Sequence, residues 1–257
     1  MEGFAVENNH SLKGRCAVVT GAAGGLGRAI AECLDQAGAR IIAVDLPDMV
    51  GDLPKAWRGV GIDLATDEAD AALSALASQL GTVDIVVANA GLVPPWRGME
   101  ALDRVEWDRV MRVNVWGVAA TIGAFADALG ASGHGSVVAM ASINGYKAHP
   151  QQVLYTASKH AVIGVMRAAA LNLGPRNIRV NALAPGPIAT EALKGRVEAR
   201  HQTGGPSSDE ALQALAAESA LGRLATPRDV ANAAHFLASD ASGGMTGLVL
   251  PVEAGLA

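Results

Sequence analysis

Tyr155 and Lys159 stand four residues apart in the run Tyr155-Thr156-Ala157-Ser158-Lys159. On a helix they share a face, one turn from each other. A free phenol titrates near ~10, so a tyrosine that acts as a base near pH 8 needs about two pKa units, roughly 2.7 kcal/mol. One cation about 4 Å away supplies on the order of 4 kcal/mol at an effective dielectric near 20. The pair is therefore capable of moving a proton at an oxygen atom. The same spacing also suits an ordinary surface pair on an amphipathic helix. What precedes and follows the pair decides between the two.

A second chemical signal lies near the start. An apolar strand at 15–19 runs into Thr20-Gly21-Ala22-Ala23-Gly24-Gly25-Leu26-Gly27, and a helical apolar pattern follows over 29–37, closed by Gly38. Strand, glycine turn and helix in that order make a pyrophosphate cradle. Gly21, Gly25 and Gly27 allow the sharp turn and close approach, and the first helical amides, including that of Leu26, face the anion. A plain glycine-rich loop is the alternative. A second strand at 40–44 ends in Asp45, whose carboxylate can accept hydrogen bonds from an adenosine ribose and would repel a 2′-phosphate. Leu46 follows it, and Ala22 and Ala23 stand where a basic residue would have welcomed that phosphate, so NAD is favoured over NADP.

These residues need elements to carry them. Further strands are expected at 59–62, 83–88, 135–141, 178–183 and 248–252, alternating with helices at 66–80, 101–129 and 152–173 and from Pro227 onward. Residues 191–221 are helical at both ends, with a mobile centre at Thr203-Gly204-Gly205-Pro206-Ser207-Ser208. The expectation is an α/β chain with one doubly wound, Rossmann-type domain at 13–257 behind a polar tail at 1–12. Its sheet has seven strands, mainly parallel, with helices on both faces. Ligands bind such sheets beyond the carboxyl ends of the strands. Asn114, a mediocre helix former inside 101–129, asks for a functional explanation.

Composition narrows the classes. The chain has 257 residues, half of them hydrophobic, and a net charge of −5 with no basic stripe, which argues against a nucleic-acid partner. Cys16 and Cys33 lie in apolar segments and are expected as buried thiols. The six histidines show no ligand spacing, so no metal is expected. No signal pattern and no apolar run of membrane-spanning length is found, and a soluble cytoplasmic protein is expected.

Taken in order, the motifs resemble those of the short-chain dehydrogenase/reductase family, over essentially the whole chain after the first dozen residues. The carriers are Thr20-Gly21-x-x-x-Gly25-x-Gly27, Ala88-Asn89-Ala90-Gly91, the set Asn114, Ser142, Tyr155 and Lys159, and Pro185-Gly186 with Thr190. Two departures stand out: Ala88 where Asn is common, and Val252-Glu253-Ala254-Gly255 where Val-Asp-Gly-Gly is frequent. The resemblance implies that Tyr155 exchanges the hydroxyl proton and that Lys159 lowers its pKa and holds the nicotinamide ribose. It further implies that Ser142 binds the substrate oxygen and that Asn114 anchors a water linking Lys159 to solvent. Asp63 and Leu64 would meet the adenine, and Asn89 and Gly91 would line the cofactor cleft. Pro185, Gly186, Ile188 and Thr190 would form the nicotinamide loop.

The implied activity is hydride transfer between NAD(H) and a secondary alcohol or ketone that is small to medium-sized, uncharged or weakly polar, and open to cyclic compounds. Val93, Pro95, Trp96, Ile143, Tyr146, His149, Gly186 and Pro187 are the candidate substrate residues. For Tyr146 and His149, substrate contact and loop packing both stand. A lid is expected at about 190–221, with its hinge at Gly204-Gly205-Pro206, and a homotetramer is expected through 101–129, 152–173 and the last strand. One rival is an NADPH-dependent 3-oxoacyl-thioester reductase, which more often carries basic residues near the cofactor turn. Another is a catalytically silent nucleotide-binding regulator, which would usually have lost the tyrosine or the lysine.

Overall fold

Seven short strands carry the architecture: β1 (Cys16–Thr20), β2 (Arg40–Asp45), β3 (Arg58–Gly61), β4 (Ile85–Ala88), β5 (Ser136–Met140), β6 (Arg179–Pro185) and β7 (Val249–Val252). The structure is a computed structural model that describes residues 10–202 and 204–256. Residues 1–9 of the expected polar tail, and Thr203 of the expected mobile insert, lie outside the described residues. The strands pair in the order β3-β2-β1-β4-β5-β6-β7, and every pairing is parallel, with Val18 opposite both Ile42 and Val86. The sheet is thus wholly parallel. The chain runs outward from β1 to β3 and then returns to β4 on the other side of β1. That reversal opens a crevice between the ends of β1 and β4.

Side chains alternate between two cores, as the strand period requires. On one face Val18, Ile42, Val86 and Val137 pack with Leu73 of α2 (Ala69–Leu80), Phe125 of α4 (Gly117–Ser132) and Met166 of α5 (Val153–Leu173). On the other, Val19, Ile41, Val87 and Val138 pack with Ile30 and Leu34 of α1 (Gly25–Gln36) and Val230 and Leu237 of α8 (Pro227–Ala238). Both cysteines are buried, and burial pushes both thiols up.

The helix expected over 101–129 is broken. Asp103 caps α3 (Arg104–Met111) by accepting from Glu106 N at 2.7 Å, so the helix starts later than its apolar spacing implies. A π-helical turn, Arg112–Trp116, then separates α3 from α4, and Asn114 sits inside it. By length and composition the stretch Arg104–Ser132 is apolar enough to cross a membrane, contrary to the expectation for any run of this chain. Here Val118, Ile122, Phe125 and Leu129 belong to the core, so packing on the sheet accounts for its hydrophobicity. The segment 191–221 forms two helices, α6 (Glu191–Gln202) and α7 (Ser208–Ala217), the latter opened by a Ser207–Glu210 capping box.

Candidate active site

A cleft of about 930 Å³ lies at the carboxyl ends of the central strands. Gly21, Gly25, Leu26, Asp45, Asp63, Leu64, Asn89, Gly91, Val93, Ser142, Tyr155, Lys159, Pro185, Gly186, Pro187, Ile188 and Thr190 all line it. Gly27 and Asn114 stand behind the wall. Pro95, Trp96, Ile143, Tyr146 and His149 do not border the cleft.

The glycine turn is built by contact as much as by conformation. Gly21 and Gly25 hold φ of +68° and +53°, a region that favours glycine. A Cβ on Gly27 would sit 1.9 Å from Gly21 O, so only glycine lets α1 start that close to β1. Asn89 secures the turn from β4: its Nδ2 donates to Thr20 O at 2.9 Å and Gly21 O at 3.3 Å. Thr20 Oγ1 in turn accepts from Asn89 N and Ala90 N at 3.0 and 3.1 Å. Gly24 caps α1 with no side-chain bond, and the first turn of α1 carries no acid. The open amides at that end suit an anion. The cradle therefore fits a pyrophosphate.

At the end of β2, Asp45 Oδ2 accepts from Ala23 N at 2.7 Å and Oδ1 from Leu46 N at 2.8 Å. Those bonds tie the carboxylate to the glycine turn at the cleft wall. Asp63 Oδ1 accepts from Ala65 N at 2.9 Å, fixing the loop that brings Leu64 to the wall. The cations among the residues lining the cleft are Lys159 and Arg109.

Ser142 follows the end of β5 by two residues, is 8% exposed, and its Oγ donates to Pro185 O at 3.4 Å and accepts from Asn144 N at 3.2 Å. Tyr155, in the first turn of α5, lines the same cleft. Lys159 Nζ lies 5.6 Å from the Tyr155 ring centroid and donates to Met140 O at 2.7 Å. A cation beside the ring favours the phenolate over the phenol. Burial alone pushes the Lys159 ammonium down to about 8. It remains mostly charged at neutral pH, yet it titrates in the range where a tyrosine base would work.

Asn114 is fully buried and holds this arrangement together. Its Oδ1 accepts from Leu92 N at 2.6 Å, and its Nδ2 donates to Leu92 O at 2.8 Å and Ser158 Oγ at 3.2 Å. The loop after β4 is thereby stapled to α5, one residue from Lys159. Gly91 fits between them: a Cβ there would meet Asn114 Oδ1 at 3.3 Å and Lys159 Nζ at 3.7 Å.

The aromatic candidates gather elsewhere. Trp96 packs against His149 with ring centroids 4.9 Å apart and planes inclined at 55°, and the Arg200 guanidinium of α6 lies 5.2 Å from the Trp96 centroid. Tyr146 is exposed, and burial together with the Glu253 carboxylate pushes its phenol upward, which makes it a poor base. Gly205 N donates to Arg200 O at 3.0 Å, so the expected hinge glycines are tied to the end of α6. Arg109, Val113, Met49, Met140 and Glu191 line the cleft without having been singled out. Arg109 and Val113 are spaced i, i+4, the only local signal, and any helix face shares it. Among the described residues, no group of three His, Cys, Asp or Glu could hold a metal ion.

Known proteins match this chain along nearly its whole length. A family model described as enoyl-(acyl carrier protein) reductase matches residues 21–257. The cis-4-hydroxycyclohexanecarboxylate dehydrogenase of Sinomonas cyclohexanicum is 35% identical over 249 residues, 94% of this chain and 96% of its own. Carveol dehydrogenase from Mycobacterium avium, in complex with NAD, superposes with a TM-score of 0.84 at 34% identity, covering 95% of this chain and 98% of its own. L-sorbose reductase from Gluconobacter frateurii, complexed with NADPH and L-sorbose, superposes with a TM-score of 0.89 at 26% identity, over 96% and 98% of the two chains.

Proposed function

The chain belongs to the short-chain dehydrogenase/reductase family, and from that premise we propose that it interconverts a secondary alcohol and its ketone using NAD(H). It is an oxidoreductase of alcohols, as its relatives are. The observation that carries the finer reading is that Ser142, Tyr155 and Lys159 line the same cleft as the glycine turn and Asp45.

Gly21, Gly25 and Leu26 would hold the pyrophosphate, Asp45 the adenosine ribose, Asp63 and Leu64 the adenine, and Pro185 to Thr190 the nicotinamide end, with Asn89 and Gly91 along the floor. Bound there, the nicotinamide supplies the hydride acceptor or donor. Tyr155 takes the hydroxyl proton of the alcohol during oxidation and returns it to the carbonyl oxygen during reduction. Lys159 favours the phenolate through its charge and holds the nicotinamide ribose. Ser142 donates to the substrate oxygen and steadies the charge that develops there. Asn114, buried beside Lys159, would anchor a water that joins the ammonium to solvent.

NAD is assigned over NADP because the Asp45 carboxylate, oriented by Ala23 N and Leu46 N, would repel a 2′-phosphate. The substrate is assigned as an uncharged or weakly polar alcohol. Val93, Pro187 and Ile188 supply apolar wall, and one of the proteins it resembles is a carveol dehydrogenase. A cytoplasmic homotetramer would cover the exposed Val105, Trp116 and Leu171 on α3, the π turn and α5. Turnover of a panel of cyclic and acyclic alcohols with each cofactor tests the assignment. A higher kcat/KM with NAD on a secondary alcohol is expected, and a preference for NADP would overturn the role given to Asp45.

A further inference from the structure

We propose that Trp96, His149 and Arg200 form a latch that holds α6 closed across the substrate end of the cleft, an inference that rests on the assignment of that cleft to alcohol oxidation. The root of α6 belongs to the cleft wall, since Thr190 and Glu191 line it and Thr190 Oγ1 accepts from Leu193 N at 3.3 Å. The far end carries Arg200. Twelve helical residues span about 18 Å, so α6 reaches from the β6 side of the cleft to the loop after β4.

That loop presents Trp96, and the guanidinium of Arg200 rests 5.2 Å from its ring centroid. The same ring meets His149, which belongs to the loop joining Ser142 to Tyr155. Three segments bordering the substrate end therefore meet at one indole. None of the three side chains lines the cleft, so they act by position and not by touching substrate. They are positioning residues.

The rest of the α6–α7 hairpin is held independently. Its base is fixed by the pairing of Ile188 with Ala225, and its two helices are joined by Ser208 Oγ donating to Glu198 Oε2 at 2.7 Å. Gly205 N donates to Arg200 O at 3.0 Å, and a Cβ on Gly205 would meet Arg200 Cγ at 2.9 Å, so the end of α6 is packed where Arg200 leaves it. The cluster is thus a tip contact that can release while the base stays anchored. Arg200 also keeps a neutral imidazole favoured in the closed arrangement: burial first, and its charge second, push His149 down.

Hydrogen exchange of the full-length protein, read by mass spectrometry over α6 with α8 as internal reference, tests the latch with and without saturating NADH. Trp96→Ala should speed exchange in α6 by about 5- to 10-fold, the size of a lost exposed cation–π contact plus a ring contact. Trp96→Phe, which keeps a ring, should stay within about twofold of wild type. Arg200→Gln, which removes the cation–π contact alone, should speed exchange in α6 by about 2- to 5-fold and serves where Trp96→Ala does not fold. With cyclohexanol as probe, Trp96→Ala should raise KM by a similar factor while kcat and the Kd for NADH stay within about twofold. Unchanged α6 exchange in both Trp96→Ala and Arg200→Gln overturns the latch. A wild-type protein that turns over no alcohol would overturn the activity and leave the exchange result standing.

Discussion

Replacing Lys159 with methionine should stabilise the fold while removing its chemistry. Lys159 is 4% exposed, and burial lowers its pKa from 10.5 to about 8. Each unit is worth about 1.4 kcal/mol, so holding the charge inside costs the folded state about 3 kcal/mol at neutral pH. Methionine loses the bond to Met140 O, worth about 1 kcal/mol, which leaves a net gain of about 2 kcal/mol. The sign follows from the depressed value: below pH 8 both states carry the proton and the penalty is complete. Above pH 8 the folded state gives up its proton first, so the penalty fades and vanishes as pH passes 10.5. The stability gap between Lys159→Met and wild type should therefore narrow by about 1 kcal/mol from pH 7 to pH 9. Denaturant titrations of the cofactor-free proteins at the two pH values measure it, and the variant's turnover should fall by on the order of 100-fold or more. A variant no more stable than wild type at pH 7, or a gap that does not change with pH, would refute the reasoning.

Asn114→Ala strips the Leu92 amide and carbonyl of buried partners, and denaturation should show a loss of about 3 kcal/mol. Ala254 holds φ of +61°, so Ala254→Gly should raise stability by about 0.5–1 kcal/mol in the same assay, the strain relieved less the entropy a glycine loses. Asp45→Ser should lower the ratio of kcat/KM with NAD to that with NADP by at least about tenfold, equivalent to about 1.4 kcal/mol. An unchanged ratio would remove the electrostatic argument for NAD.

What could be read from the chain was whatever is local or periodic. The apolar runs gave every strand to within a few residues, and strand, glycine turn and helix in succession located the cradle around Gly21, Gly25 and Gly27. Tyr155 and Lys159 share one cleft because four residues make one helical turn. Ala254 stood out as a departure at a place where glycine is frequent, and its positive φ supplies the physical reason. Asn114 looked wrong for a helix interior, but nothing local indicated a π turn or a staple to Leu92, because its partners lie 22 and 44 residues away. Trp96 and His149 are aromatic residues in the loops beside the cleft, the placement from which substrate contact is expected. Their ring contact with each other, and the approach of Arg200 from α6, are tertiary facts with no spacing to announce them. Arg109 reaches the cleft wall in the same way, by tertiary placement.

Tyr155→Phe, assayed in both directions with the best secondary alcohol and its ketone under NAD and NADH, isolates the proton transfer itself. Removing one hydroxyl leaves the ring, the cleft and Lys159 in place. The expected result is a fall in kcat of about 10²- to 10⁴-fold with the Kd for NADH within a few-fold of wild type. Retention of near-full turnover would contradict Tyr155 as the acid–base group.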